Sequence, residues 1–158
     1  MKPPLRLAAA ALLVLLFAAC SKNAPATAAA PAAKHEHHAP HGGTPVVLGT
    51  ESCHVELVLD APTGKLTAYV LDGELENFIR VKAPSFDVVA TVGGEKLPLT
   101  FRAAVNPATG ETVGDTSQFE AQADWLKTTP AFDAVLSSLT IRGATFTAVA
   151  FNFPKGND

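Results

Sequence analysis

Histidine carries most of the chemistry open to this chain. Four of its five histidines, His35, His37, His38 and His41, fall in the stretch His35–Gly43, and the fifth, His54, follows shortly after. Imidazole is the commonest side-chain ligand for borderline transition metals, and it binds them in its neutral form. Several imidazoles on one short segment can converge on one ion. The ligand type suits Cu(II), Zn(II) or Ni(II), whereas the only methionine is Met1, which weakens a Cu(I) thioether site. His54 and Glu56 are two residues apart, so a strand would put both on one face and Cys53 on the other. Glu36 and Glu56 could add oxygen donors. Gly42 and Gly43 allow a tight bend directly after His41. His41 and His54 are therefore the leading ligand pair, with His38, His37 and His35 as auxiliary ligands on the arm before them. Metal must displace protons from imidazole, so affinity should fall as pH drops through roughly 6.5. The bland alternatives stay open: an adventitious, tag-like metal binder, and a strand histidine that is only hydrogen-bonded.

Catalytic signatures are absent from the sequence. There is no G-x-S-x-G, H-E-x-x-H, Walker loop, G-x-G-x-x-G or C-x-x-C. Only one histidine falls in the expected folded domain, with no evident nucleophile–base pair. The chain is expected not to be an enzyme.

What positions the histidines is a three-part chain. Residues 1–19 read as an export signal, with Lys2 and Arg6 ahead of the apolar run Leu7–Ala19, which is too short to span a bilayer. Leu16-Phe17-Ala18-Ala19-Cys20 resembles the lipobox of bacterial lipoproteins, with Phe17 departing from the usual Leu. That resemblance implies cleavage before Cys20, diacylglycerol on its sulfur and a fatty acyl group (palmitate-type) on the new amino terminus. Ser21 after the cysteine, by the same resemblance, favours the outer membrane over the inner. Residues 20–43 form a lipidated Ala/Pro-rich tether ending in the histidine segment. Ala24–Ala33 lacks the large apolar residues that would offset ordering entropy. Residues 44–158 are long enough for one core. Without residues 1–19, the 12 basic residues fall to 10 against 15 acidic ones, a net charge of −5. Such a chain has no footprint for nucleic acid and no polybasic patch for anionic lipid, so a lipid anchor would do the membrane binding. Cys53 remains as a single thiol in an oxidising compartment and reads most simply as a small buried residue.

The domain patterns as β. Cys53–Leu59 alternates, Ala61-Pro62-Thr63-Gly64-Lys65 supplies a turn, and Leu66–Leu71 returns as a hairpin partner. Phe78–Val81 reads as a short strand. Phe86–Val92 and Lys96–Ala103 flank Gly93-Gly94, a two-residue hairpin signal. Pro98 marks the second of these as an edge strand. Ser117–Ala123, Leu139–Arg142 and Thr145–Phe153 complete the set. Asp124–Leu136 reads as a loop with a helical turn. Eight or nine short strands predict an all-β domain, an antiparallel Ig-like β-sandwich with a small barrel as the alternative. Phe101, Phe119, Phe132, Phe146, Phe151 and Trp125 are the expected core mass.

His41-Gly42-Gly43, Val46-Val47-Leu48-Gly49, His54–Val58 and Lys65–Asp72 together resemble a P-H-G-G segment and β-hairpin in periplasmic adaptor subunits of heavy-metal efflux systems, and in small bacterial lipoproteins carrying the same block. The resemblance covers about residues 35–72 and implies that His41 matters most and His54 second. The adaptor's coiled-coil hairpin, lipoyl-like domain and membrane-proximal domain have no counterpart in this sequence. Two functions follow as expectations. One is an envelope-anchored lipoprotein that binds Cu or Zn through the His-rich segment, with a metal-efflux or other envelope protein as partner. The other is a non-catalytic structural or interaction module of the cell envelope with incidental histidines.

Overall fold

The computed structural model describes residues 38–157. The export signal, Cys20 and the tether as far as residue 37, with His35, Glu36 and His37, lie outside the described residues. Eight strands make up the domain: β1 (Thr44–Leu48), β2 (Cys53–Asp60), β3 (Lys65–Asp72), β4 (Ser85–Val92), β5 (Glu95–Ala103), β6 (Gln118–Gln122), β7 (Phe132–Ile141) and β8 (Ala144–Phe153). They hydrogen-bond as one antiparallel sheet in the order β1-β2-β3-β6-β5-β4-β7-β8, which nearly closes on itself as a barrel. The domain is all-β and antiparallel, as the alternation predicts.

Inward positions fill the barrel. Val46, Leu48, Val55, Leu57, Leu66, Ala68, Val70, Val88, Phe101 and Phe119 are buried in one cluster. Phe86 stacks on Phe101 at 4.9 Å between centroids and meets Phe119 edge-on at 5.2 Å. Fully burying one such ring contributes roughly 1.5–3 kcal/mol. Phe132 and Phe151 are buried as expected, Trp125 and Phe146 only partly, and Phe86 and Phe153 join them. Cys53 is buried and free, and burial pushes its thiol above the ordinary range while Arg142 offsets part of that.

The turns follow their chemistry. Gly93 and Gly94 both have positive φ and join β4 to β5, with Val92 opposite Glu95. Pro98 sits opposite Val89 in β4, while β5 meets β6 only at Arg102 and Ala103. Near Pro98 the strand therefore has a partner on one side alone, which is where a residue without an N–H fits.

Two expectations need correction. Phe78–Val81 is not a strand: it forms only the isolated bridges Leu71–Phe78 and Val81–Thr116. Asp72 diverts the chain into a tight loop. Its Oδ1 accepts the Glu76 and Asn77 N–H groups, and its Oδ2 accepts Asn77 Nδ2 at 2.7 Å. The Asn77 amide, then these N–H groups, hold the Asp72 carboxyl below its usual range despite some desolvation. The second correction is β7, which begins at Phe132 rather than Leu139. Its buried positions run Phe132, Ala134, Leu136, then Leu139 and Ile141, so the period slips by one at Ser137-Ser138. Across the ladder, Ala148 of β8 has φ 53°, a local irregularity at the same level.

The ends of the sheet, β1 and β8, are joined by the segment after β8. Thr44 Oγ1 donates to the Pro154 carbonyl at 3.1 Å. Val47 N–H donates to Asn157 Oδ1 at 2.7 Å, and Asn157 Nδ2 donates to the Val47 carbonyl at 3.1 Å.

Candidate functional site

Register on the outer face of β2 and β3 sets the site. The hairpin pairs Asp60 with Lys65, which places Glu56 opposite Tyr69 and His54 opposite Leu71. β1 adds Pro45 beside Glu56 and Val47 beside His54. Outer-face residues of a small barrel ordinarily meet water, yet Glu56 is 0% exposed and His54 1%. Both are covered.

Glu56 is covered by the chain that carries His41. The bend closes with Gly42 N–H donating to the Ala39 carbonyl at 3.0 Å. Gly42 has φ 66°, the left-handed region that favours glycine. Gly43 lies flat on β2, where an added Cβ would fall 2.5 Å from the Leu57 carbonyl oxygen and 2.9 Å from Glu56 Cγ. Both glycines are thus required, one by conformation and one by proximity.

The buried carboxylate is fully used. Oε1 accepts the backbone N–H of His41 at 2.8 Å and of Gly43 at 2.9 Å, and Oε2 lies 2.8 Å from His41 Nδ1. A carboxylate removed from water is costly unless it is hydrogen-bonded, and three N–H groups meet that need here. Since the carboxylate accepts, Nδ1 carries a proton, and in the neutral ring Nε2 carries the lone pair. The His41 ring stacks on Tyr69 at 3.8 Å and 14°, with Phe78 at 5.8 Å from its centroid. The His41 side chain stays 36% exposed. Burial first, then the Glu56 and Glu120 carboxylates, push the Tyr69 phenol above its usual range, with Lys65 opposing.

His54 belongs to the next pair along the ladder. Its Nδ1 lies 3.1 Å from the Asp72 carbonyl, which can only accept, so this ring too is an Nδ1–H tautomer. Leu71 at the end of β3 and Leu75 in the loop after it are buried outside the main core cluster.

The expected ligands are therefore placed differently from one another. His41 and Glu56 are in direct contact. His54 shares their strand face but is enclosed, and His38 is exposed at the edge of the described residues. Glu56, expected as a metal oxygen donor, has both oxygens engaged in holding the His41 loop. Among the described residues, no group of three or more His, Cys, Asp or Glu is placed to hold a metal ion. Tyr69 and Phe78 are the site members that the histidine pattern does not reveal. Tyr69 was within reach: the Asp60–Lys65 turn, counted back along both strands, sets it opposite Glu56. No protein-family model matches the chain, and no curated protein or solved structure matches it.

Proposed function

We propose that this chain is an envelope-anchored lipoprotein that binds Cu(II) or Zn(II) at the His-rich entrance of its barrel, with His41 as the anchoring ligand. The observation that carries this reading is the Glu56–His41 pair. Metal-binding histidines characteristically donate their second ring N–H to a carboxylate, which fixes the tautomer and raises the basicity of the other nitrogen. Here a buried carboxylate holds Nδ1–H, and Nε2 belongs to a ring left partly open to solvent. Glu56 acts as a positioning residue. His38, with His37 and His35 before it, supplies auxiliary ligands, and His54 follows as a further donor once the loop after β3 opens. The anchor is Cys20, carrying lipid in the outer membrane, and the reading includes no catalytic step. A metal-efflux or other envelope protein is the proposed recipient, on the resemblance of residues 35–72 to efflux adaptors. The Ig-like description of the barrel as two packed half-sheets belongs to the same reading. It is supported by Val46, Val55 and Leu57 meeting Phe86, Val88, Leu136 and Phe151 across a narrow internal space.

Calorimetric titration of the mature chain with Cu(II) and Zn(II) tests it, beside His41→Ala, His54→Ala and the double variant. Micromolar or tighter binding that is lost with His41→Ala supports the proposal. Weak binding that survives the double change reduces the histidines to a tag. A second reading, a non-catalytic interaction module, draws on Phe78, 49% exposed against Tyr69 and His41. It predicts that Phe78→Ser abolishes capture of an envelope partner while metal binding is unchanged.

A further inference from the structure

Strands β4 and β7 separate before β7 ends. They pair from Thr91–Asp133 to Val88–Leu136, whereas β7 stays paired with β8 as far as Ile141–Ala144. The ladder stops where the inward period of β7 slips by one, at Ser137-Ser138. Beyond it the β7–β8 hairpin continues without β4, and a cleft of about 700 Å³ lies between its tip and the segment Arg80–Ala83. That volume is in the range of small-molecule sites, which favour the mouths of barrels. In a chain with 15 acidic residues against 12 basic ones, the cleft is lined by Arg80, Lys82 and Arg142 and by no acidic side chain. Arg80 is anchored: its Nη1 donates to Asp115 Oδ2 at 2.9 Å and its Nη2 to the Thr109 carbonyl at 2.6 Å. Among the described residues, Lys82 and Arg142 form no ion pair. Val81 and Ala83 add apolar surface to the same lining.

Arg142 holds a position that its own backbone disfavours. With Gly143 it forms a two-residue hairpin loop in which both residues have positive φ, 50° and 86°. Such loops favour Asn, Asp or Gly at the first place, where other side chains are strained. Backbone strain of this kind clusters at ligand clamps. We propose that the cleft binds a small amphiphilic anion, a carboxylate or phosphate head on a short apolar tail. Arg142 and Lys82 meet the head beside the anchored Arg80, and Val81 and Ala83 meet the tail. The planar fork of a guanidinium matches the paired oxygens of either head. None of the cleft's lining residues belongs to the histidine site, so the proposal stands without the metal reading.

The test is calorimetric titration with octanoate and with octyl phosphate, in metal-free buffer, of the mature chain carrying Cys20→Ser to keep it lipid-free. Saturable binding of at least one is expected, and the tighter of the two identifies the head. Arg142→Asn and Lys82→Gln should each weaken it by about tenfold or more, the loss of a hydrogen bond to a charged partner. Lys96→Gln, which removes a cation outside the cleft, should leave it unchanged. Asparagine suits the positive φ, so Arg142→Asn should melt no lower than the parent, and its lost binding is then not lost folding. Should it unfold nonetheless, Lys82→Gln carries the comparison. No saturable binding of either anion up to millimolar concentration, or binding that survives Arg142→Asn combined with Lys82→Gln, overturns the proposal. Inorganic phosphate that binds as tightly as octyl phosphate would make this a site for an adventitious ion only, and octanol that binds as tightly as octanoate would make it an apolar groove. Either result also overturns it.

Discussion

Glu56→Gln alters one hydrogen-bonding polarity at nearly constant shape. Oε1 of Glu56 faces two backbone N–H groups, and Oε2 faces only His41 Nδ1. A glutamine therefore keeps its oxygen toward the two N–H groups and turns its amide NH2 toward Nδ1. Two donors cannot share that position, so the imidazole proton moves to Nε2 and Nδ1 accepts. The His41 loop stays docked, but the nitrogen proposed to bind metal now carries hydrogen. Loading metal means moving the proton back against an opposing donor. A hydrogen bond to a charged partner contributes about 1.5–3 kcal/mol, and changes to groups that orient a metal-binding histidine cost about 10–100-fold in affinity. The two figures agree, since each tenfold corresponds to about 1.4 kcal/mol. Calorimetry with Zn(II) should thus show Glu56→Gln weakened by about 10–100-fold, while long-range 15N–1H NMR shows the His41 tautomer reversed. Unchanged affinity with the tautomer reversed would refute the reasoning, because it would mean that His41 Nε2 is not the ligand.

Further outcomes follow from the same loop. Gly43→Ala drives a methyl into the Leu57 carbonyl and should lift the His41 bend off β2, at a cost of about 1–3 kcal/mol from overpacking; loss of the Tyr69 ring-current shift on His41 would report it. The Tyr69 phenol should ionise above its ordinary value, chiefly through burial, in an ultraviolet pH titration, and Glu56→Gln should bring it down by removing a nearby negative charge. Because the folded value is raised, the associated stability is fully present below the phenol's unfolded value and is lost as pH climbs through the folded one. A titration indistinguishable from that of free tyrosine would contradict the enclosure. For Asp72 the sign reverses: its carboxyl is lowered in the fold, chiefly by the Asn77 amide, so its contribution is present above the ordinary carboxyl value and fades as pH falls through the lowered one. Acid titration followed by NMR of the Asn77 amide should show that loss.

The sequence carried the strands wherever one period governed a whole segment. Cys53–Leu59 and Phe86–Val92 alternate cleanly, and their turns hold the glycines that the hairpins require. β7 was hidden because its inward residues change phase at Ser137-Ser138, and a ten-residue strand then reads as a loop plus a fragment. Phe78–Val81 misled in the other direction. Its composition is strand-like, but its ends pair with different segments, Phe78 with Leu71 and Val81 with Thr116, so isolated bridges form in place of a ladder. At the site, the residue pattern singles out His41 and His54 as the leading ligand pair and makes Glu56 a further oxygen donor. Only three-dimensional contact reveals that Glu56 is spent on the loop and that His54 is enclosed. The link from Asn157 to Val47 of β1 is likewise illegible, since one asparagine late in a chain has no periodicity to announce it.

In the proposed function, His41 Nε2, prepared by Glu56, is the atom that takes the metal. Zn(II) titrated into mature chain labelled with 15N-histidine addresses it directly. The expected result is a large shift of His41 Nε2, first among the ring nitrogens, while His41 Nδ1 keeps its proton and its contact with Glu56. Zinc that shifts only the other histidines, or that leaves His41 Nε2 unchanged at saturation, would contradict it.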